Sequence, residues 1–318
     1  MHRRNIILIA GAVVIVVIVA LLTGGEDELE PPPPSTANVN EVVVEIRSTL
    51  EEQGLNVMLI SNHSANAARF ELELRPTQLI LFGTTGIGTA LMQEQRTIGI
   101  DLPSKILVWE DESGEVRVAY NSPDYLKARH GVESVDELLS DVDAVMTRFH
   151  PNMLGIEFIP TEGQGLITIP STRSVDETVA ALETILEDAG FSIPLVFNHS
   201  DNAARVGQIL KPTVLIIFGN PNVGTQLMQN QQSIGIDLPQ KFLVWEAEDG
   251  QVNITYNDPF FLAERHGITG MDELLTNMSN ALANFARQGA GTPPTPTEAP
   301  VEEPASERGD ETPQESDG

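Results

Sequence analysis

The chain repeats itself, and that limits its architecture more than any other feature. "SNHSANAARFELELRPTQLILFGTTGIGTALM" returns as "FNHSDNAARVGQILKPTVLIIFGNPNVGTQLM". "IGIDLPSKILVWEDESGEVRVAYNSPDYLKARHG" returns as "IGIDLPQKFLVWEAEDGQVNITYNDPFFLAERHG". The offset is 136 residues throughout: His63 matches His199, Trp109 matches Trp245 and His130 matches His266. Two copies are too few for a solenoid, so the reading is two similar domains. The expected boundaries are 39–160 and 161–288, flanked by segments at 1–25, 26–38 and 289–318.

Within the second copy the pattern is strand, helix, strands, helix. "GLITIPS" alternates as a short strand. "VDETVAALETILEDAG" places Val179, Leu182, Ile185 and Leu186 on one helical face, with Gly190 at its end. "FSIPLVF" and "PTVLIIFG" are strands rich in branched and aromatic residues, and "KFLVWEAEDGQVNITYN" is a hairpin turning at Asp249-Gly250. "PFFLAERHG" and "MDELLTNMSNALANFARQ" are closing helices. Helices and strands do not alternate regularly, which predicts an α+β layer. Repeat one lacks the opening strand: the matching position is "LEPPPP", whose prolines cannot donate to a ladder. "GIEFIP" (Gly155–Pro160), just after repeat one, is predicted to fill that slot from the far end.

The motifs N-H-S-x-N-A-A-R, F-G-N-P-x-x-G-T-x-L-M, G-I-D-L-P-x-K-x-L-V-W-E and Y-N-x-P-x-x-L-x-x-R-H-G occur here in this order. With them the chain resembles the domain-of-unknown-function family 302, over nearly all of both repeats. The resemblance implies two tandem copies of a small α+β domain of TATA-binding-protein-like topology. It implies no established activity and no established cofactor. Repeat one departs from the pattern with "FGTTGIGT" and with its missing strand.

The N-terminus supplies an address. From Ile6 to Thr23 no residue is charged, and as a helix this run is about 27 Å long, close to the bilayer core. Arg3 and Arg4 precede it and acids follow it, so the prediction is one uncleaved transmembrane helix with the N-terminus cytoplasmic and the domains extracytoplasmic. "GGEDELEPPPPSTAN" reads as an acidic, proline-rich stalk, and the tail from residue 289 as an acidic, disordered segment.

Formal charge is −28. Acidity on this scale repels phosphate backbones and argues against nucleic acid as a partner. The sequence has no cysteine, which removes disulfides, zinc-thiolate sites and thiol catalysis.

"FGNPNVGTQLM" resembles a phosphate-binding loop, but such a loop needs a lysine after its second glycine. Thr225 follows Gly224, and Thr89 follows Gly88. The expectation is a tight strand-to-helix connection in which Gly83, Gly88, Gly219 and Gly224 supply positive φ, with Thr89 and Thr225 beside a helix N-terminus able to hold a small anion.

The histidines are the other candidates. Asn62, His63, Arg129 and His130 in one copy, and Asn198, His199, Arg265 and His266 in the other, are retained polar residues that ask for partners. They are the candidate ligand-binding residues, expected where the NHS strand end meets the RHG helix end. A divalent metal is the one cofactor they leave open, and no metal motif spacing is present. Asp101 and Asp237 are expected as turn acceptors, Lys105 and Lys241 as solvated, Ser64 and Ser200 as helix caps, and Trp109, Trp245, Tyr120 and Tyr256 as core. The leading function is a membrane-anchored binding or interaction protein for an unknown small ligand or protein. The alternatives are a metal- or His-dependent enzyme and a structural pair of repeat domains.

Overall fold

Two matching helices open the two repeats, and both start on the same device. Asn38 accepts from the Glu41 amide while Glu41 accepts from the Asn38 amide; Ser174 and Glu177 do the same. These capping boxes satisfy donors that a helix start leaves orphaned. The helices are Val39–Glu52 (α1) and Val175–Asp188 (α5). Gly54 and Gly190, at φ 77° and 78°, follow their ends. Val39, Val42, Val43, Ile46 and Leu50 make the buried stripe of α1.

In this computed structural model, residues 38–132, 153–156 and 158–292 are described. After α1 come β1 (Asn56–Asn62), α2 (His63–Ala68), β2 (Thr77–Gly83), α3 (Thr85–Glu94), β3 (Ser104–Glu110), β4 (Val116–Tyr120), α4 (Pro123–His130) and β5 (Met153–Gly155). The second repeat carries β6 (Leu166–Ser171) before α5. Then follow β7 (Ser192–Asn198), α6 (His199–Arg205), β8 (Thr213–Gly219), α7 (Pro221–Asn230), β9 (Gln240–Glu246), β10 (Val252–Asn257), α8 (Pro259–His266) and α9 (Asp272–Gly289). A short 3-10 turn precedes β3 (Arg96–Ile100) and β9 (Gln232–Ile236). The fold is mixed α+β with two five-stranded sheets, ordered β1-β2-β3-β4-β5 and β6-β10-β9-β8-β7.

The edge slot beside β4 is indeed filled by chain that follows repeat one, although not by the segment expected. Met153–Gly155 takes it, two residues upstream of "GIEFIP" and overlapping it only at Gly155. It runs parallel to β4, with Ala119 opposite Leu154. Its counterpart β6 runs antiparallel to β10, with Thr255 opposite Thr168. The slot is therefore shared but the direction is reversed, which a circular permutation would not produce.

β2 and β8 read as unbroken apolar runs because both of their faces are buried. Ile80 and Phe82 pack under α1, and Ile216 and Phe218 pack under α5 and α9. The alternate residues Leu79 and Leu81 meet Leu215 and Ile217 of the other repeat in a shared core. Gly99 and Gly235 permit the close approach: a Cβ at Gly99 would lie 3.1 Å from Leu243 Cδ1, and one at Gly235 would lie 3.0 Å from Leu107 Cδ1. Both repeats accordingly belong to one compact unit.

The expected transmembrane run, Ile6–Thr23, lies outside the described residues, as do most of the stalk and tail. Among the described residues no helix is long and apolar enough to cross a membrane. At the other end α9 runs through Gly289, and the buried Ala290 accepts from the Thr172 amide, so the folded chain extends to this point.

Candidate functional site

The retained polar residues form two groups that meet at one cleft, because Asp101, Lys105 and Asn121 of the first group also line it. One forms a buried ionic cluster between the repeats. Asp101 ends a 3-10 turn, and Lys105 follows four residues later on β3. Asp101 Oδ1 accepts from Lys105 Nζ at 2.9 Å; its Oδ2 accepts from Arg129 Nη1 at 2.8 Å and from His130 Nε2 at 2.9 Å. In the second repeat Asp237 Oδ2 accepts from Arg265 Nη1 at 2.7 Å and from His266 Nε2 at 2.8 Å. The arginines then cross over: Arg129 Nη2 donates to Asn257 Oδ1 and Arg265 Nη2 to Asn121 Oδ1, each at 2.7 Å. Arg265 also stacks 3.8 Å above the Tyr125 ring centroid.

Burial pushes the Asp101 carboxyl up, but the charges of Lys105 and Arg129 outweigh it and hold it well below the usual range. Asp237 is depressed in the same way against its burial, by Arg265, His266 and Lys105. Desolvation lowers His130 and His266 despite their aspartates. The lysines are not solvated as the sequence reading expected. Lys105 and Lys241 are each only 2% exposed. Lys105 reaches both carboxylates, the second at 3.6 Å. Lys241 instead donates to the backbone carbonyls of Asp237 and Pro239, and burial brings it down to about 7. The aspartates likewise are hubs of buried charge rather than turn acceptors, because a second repeat closes over them.

Ser233, His266 and Asp237 are connected in series, with the Ser233 hydroxyl 3.0 Å from His266 Nδ1; Thr97, His130 and Asp101 repeat the pattern at 3.2 Å. The chemistry does not follow the connectivity. Burial makes the His266 imidazole a weak base despite Asp237, with Arg265 and Lys105 adding to the lowering, and Ser233 lines neither cleft described below.

The second group lines two clefts related by the repeat. In the first, the end of β2 and the start of α3 (Gly83, Gly88, Thr89) face Phe197, His199 and Asn202 of the other repeat, around about 140 Å³. In the second, Gly219, Gly224 and Thr225 face Ser61, His63 and Asn66, around about 530 Å³. Each cleft thus joins the glycine segment of one repeat to the NHS helix of the other. The sequence reading expected the NHS strand end to meet the RHG helix end; in the clefts the NHS helix instead faces the glycine segment of the other repeat.

His63 Nε2 lies 3.2 Å from the Gly235 carbonyl. A carbonyl only accepts, so Nε2 carries the proton. His199 faces Gly99 in the mirror position, but its Nε2 makes no hydrogen bond of ordinary geometry. Burial brings both imidazoles down to about 4, so they are neutral near pH 7. The two histidines of one repeat keep different company: His199 turns to the other repeat's 3-10 turn, whereas His266 bonds Asp237 of its own.

The other predicted residues have structural duties. Asn62 and Asn198 cap α2 and α6, accepting from the Ala65 and Asp201 amides. The caps are these asparagines and not Ser64 and Ser200, whose hydroxyls donate to them. Gly83, Gly88, Gly219 and Gly224 do not adopt positive φ. Gly83 and Gly219 end strands, while Gly88 and Gly224 lie inside helices against Leu102 and Leu238. The start of α7 offers an anion little: Pro221 has no amide hydrogen, the Asn222 amide donates to Asn220 Oδ1, and those of Val223 and Gly224 to Asn220 O. Thr89 and Thr225 are buried, and the Thr89 hydroxyl donates to the Thr85 carbonyl. Tyr120 and Tyr256 are core as expected, while Trp109 and Trp245 are half-buried against the shared core. Among the described residues no group of three or more His, Asp or Glu side chains is arranged to hold a metal.

Sequence reasoning missed Asn121, Asn257, Arg96, Gln232 and Gln240. Arg96 and Gln232 occupy one repeat position and reach across to Thr213 and Thr77 respectively. A signal existed for the ionic cluster, since the spacing D-L-P-x-K and the pair R-H recur in both copies.

Comparison with known proteins places these features in a family. A stretch of 128 residues is 43% identical to the fluoride-specific ion channel FluC 1 of Brucella suis biovar 1 (strain 1330), covering 40% of this chain and 50% of that protein. The fluoride-specific ion channel FluC 2 of Brucella melitensis biotype 1 matches at the same identity and length, with 47% of that protein covered. The match therefore spans about half the length of these relatives. A crystal structure of an uncharacterized conserved protein DUF302 from Bacillus stearothermophilus aligns with a TM-score of 0.37 and 21% identity, over 39% of this chain and 98% of that one. Residues 34–149 and 167–285 each match the family described as domain of unknown function DUF302, and the chain belongs to that family as a tandem of two copies.

Proposed function

We propose that this protein is a non-catalytic binding protein whose ligand enters a cleft formed jointly by the two repeats. One observation carries the reading: both clefts are built from the same motif pair, always taken from opposite repeats. A single copy cannot supply both walls, so the duplication has a binding purpose as well as a structural one. The second cleft falls within the size range of small-molecule sites and is lined mainly by apolar side chains with a few polar groups. We take Ile6–Thr23 as the anchor that holds these clefts outside the membrane at the end of the acidic stalk. The acidic surface favours a small molecule or protein over nucleic acid.

Native mass spectrometry of the full-length chain, released from its membrane, tests the reading. A small-molecule adduct is expected, and it should be absent from the Ala281→Trp variant, which fills the second cleft. A chain without adduct, whose melting no small molecule in a broad panel raises, would contradict it. N-terminal sequencing tests the anchor: a mature start near Gly25 refutes it.

A further inference from the structure

The two clefts are built on one plan but differ where a ligand would be read, and the differences point to a chemistry. Gln240 stands in the second cleft where Ser104 stands in the first. It is only 7% exposed, and neither its amide oxygen nor its amide nitrogen has a hydrogen-bond partner among the described residues. A buried primary amide left this way costs free energy unless something in the cleft pairs with it.

Arg69 supplies the charge. Its counterpart Arg205 is tied to Asn202 Oδ1 at 3.0 Å. Arg69 has no such bond among the described residues; it is exposed and lines the second cleft. No aspartate or glutamate among the described residues lines that cleft, although the chain carries 46 acidic residues. His63, the other basic side chain there, is committed to Gly235 through Nε2. One unopposed guanidinium suits one negative charge, in the planar form that its fork of donors matches. The remaining wall is mainly apolar and includes Phe191, Leu238, Met278, Leu282 and Phe285, with Ser192, Asn220 and Asn277 among its polar members.

We propose that the second cleft binds an amphipathic monocarboxylate, with its hydrocarbon against α9 and Phe191 and its carboxyl group held by Arg69 and the Gln240 amide. The first cleft, smaller and with Ser104 in place of Gln240, does not take this ligand. This inference rests on the binding function proposed above and narrows it to one ligand class.

Three probes with one chain length and different heads separate the cases: octanoate, octan-1-ol and octylammonium. Each is titrated calorimetrically into the full-length chain in phosphatidylcholine nanodiscs, with empty discs as reference. Octanoate should bind with one site per chain and at least about tenfold more tightly than the other two. Arg69→Ala, at an exposed position, should lose about tenfold for octanoate and leave octanol unchanged. Gln240→Leu should weaken octanoate independently. If octanol or octylammonium binds as well as octanoate, or if Arg69→Ala has no effect, the carboxylate assignment is overturned while the cleft remains a binding site. If none of the three binds and the purified chain carries no adduct, both the assignment and the binding function fall.

Discussion

Arg129 of the first repeat donates to Asn257 of the second at 2.7 Å, and Arg265 returns the bond to Asn121 at the same length. Each arginine also holds the aspartate of its own repeat. The four residues tie the repeats together at a place where neither copy alone could satisfy its buried charge. A pair of domains joined only by a linker would deprive Arg129 of Asn257 Oδ1 and the Gln164 and Gly165 carbonyls, and Arg265 of Asn121 Oδ1.

The two buried lysines should respond differently to removal. Lys105 lies between two carboxylates, whereas Lys241 bonds only carbonyl oxygens and is held near neutrality by burial. Lys105→Met leaves Asp101 and Asp237 undercompensated and should cost about 3–5 kcal/mol. Lys241→Met removes a desolvation cost and should be within about 1 kcal/mol of the parent, or more stable. Urea unfolding of both variants checks this. Equal destabilisation would contradict the assigned roles.

Stability should fall as pH drops below about 6.5, the ordinary histidine value. His63 and His199 are neutral in the fold and do not protonate until about 4. The unfolded chain binds those protons first, so acid favours unfolding through this window. Each histidine contributes about 1.4 kcal/mol per pH unit between those limits. Asp101 and Asp237, depressed in the fold, extend the loss below about pH 4, where the unfolded carboxylates protonate before the native ones. Urea midpoints at pH 7.5 and 5 measure the slope, and His63→Asn should make it shallower. A flat profile would show that these imidazoles are not buried.

Much of the fold was legible in the chain. The apolar stripe of α5 and its end at Gly190 follow from local chemistry, and so does the hairpin turn at Gly250. The offset of 136 matches the first repeat from α1 through α4 to the second repeat from α5 through α8. What escaped was everything that depends on the second repeat lying against the first. Lys105 looks like a surface lysine because no residue near it in sequence indicates that Asp237 will arrive 3.6 Å away. His63 and the Gly219–Thr225 segment sit in one cleft, yet more than 150 positions separate them. Gln240 looks like an ordinary strand-entry polar residue until α9 closes the cleft around it.

The strand Met153–Gly155 completes the first sheet from outside the repeat's own beginning. Leu154→Pro removes a backbone donor opposite Ala119 and should loosen one sheet edge. Hydrogen exchange should quicken in Val116–Tyr120 and remain slow in Val252–Asn257. The opposite order would mean that this segment serves the second sheet.

The central claim is that the repeats form one interlocked unit, and the two tryptophans test it most directly. Trp109 belongs to the first repeat and Trp245 to the second, and both pack against the core that the repeats share. Trp245→Phe leaves one reporter in the first repeat, and Trp109→Phe leaves one in the second. Urea unfolding followed by fluorescence in the two variants of the full-length chain should give transitions with the same midpoint and slope, matching circular dichroism of each. In the Lys105→Met background both reporters should shift together. Two separate midpoints, or a shift confined to one reporter, would show two independently folding domains and contradict the interlocked unit.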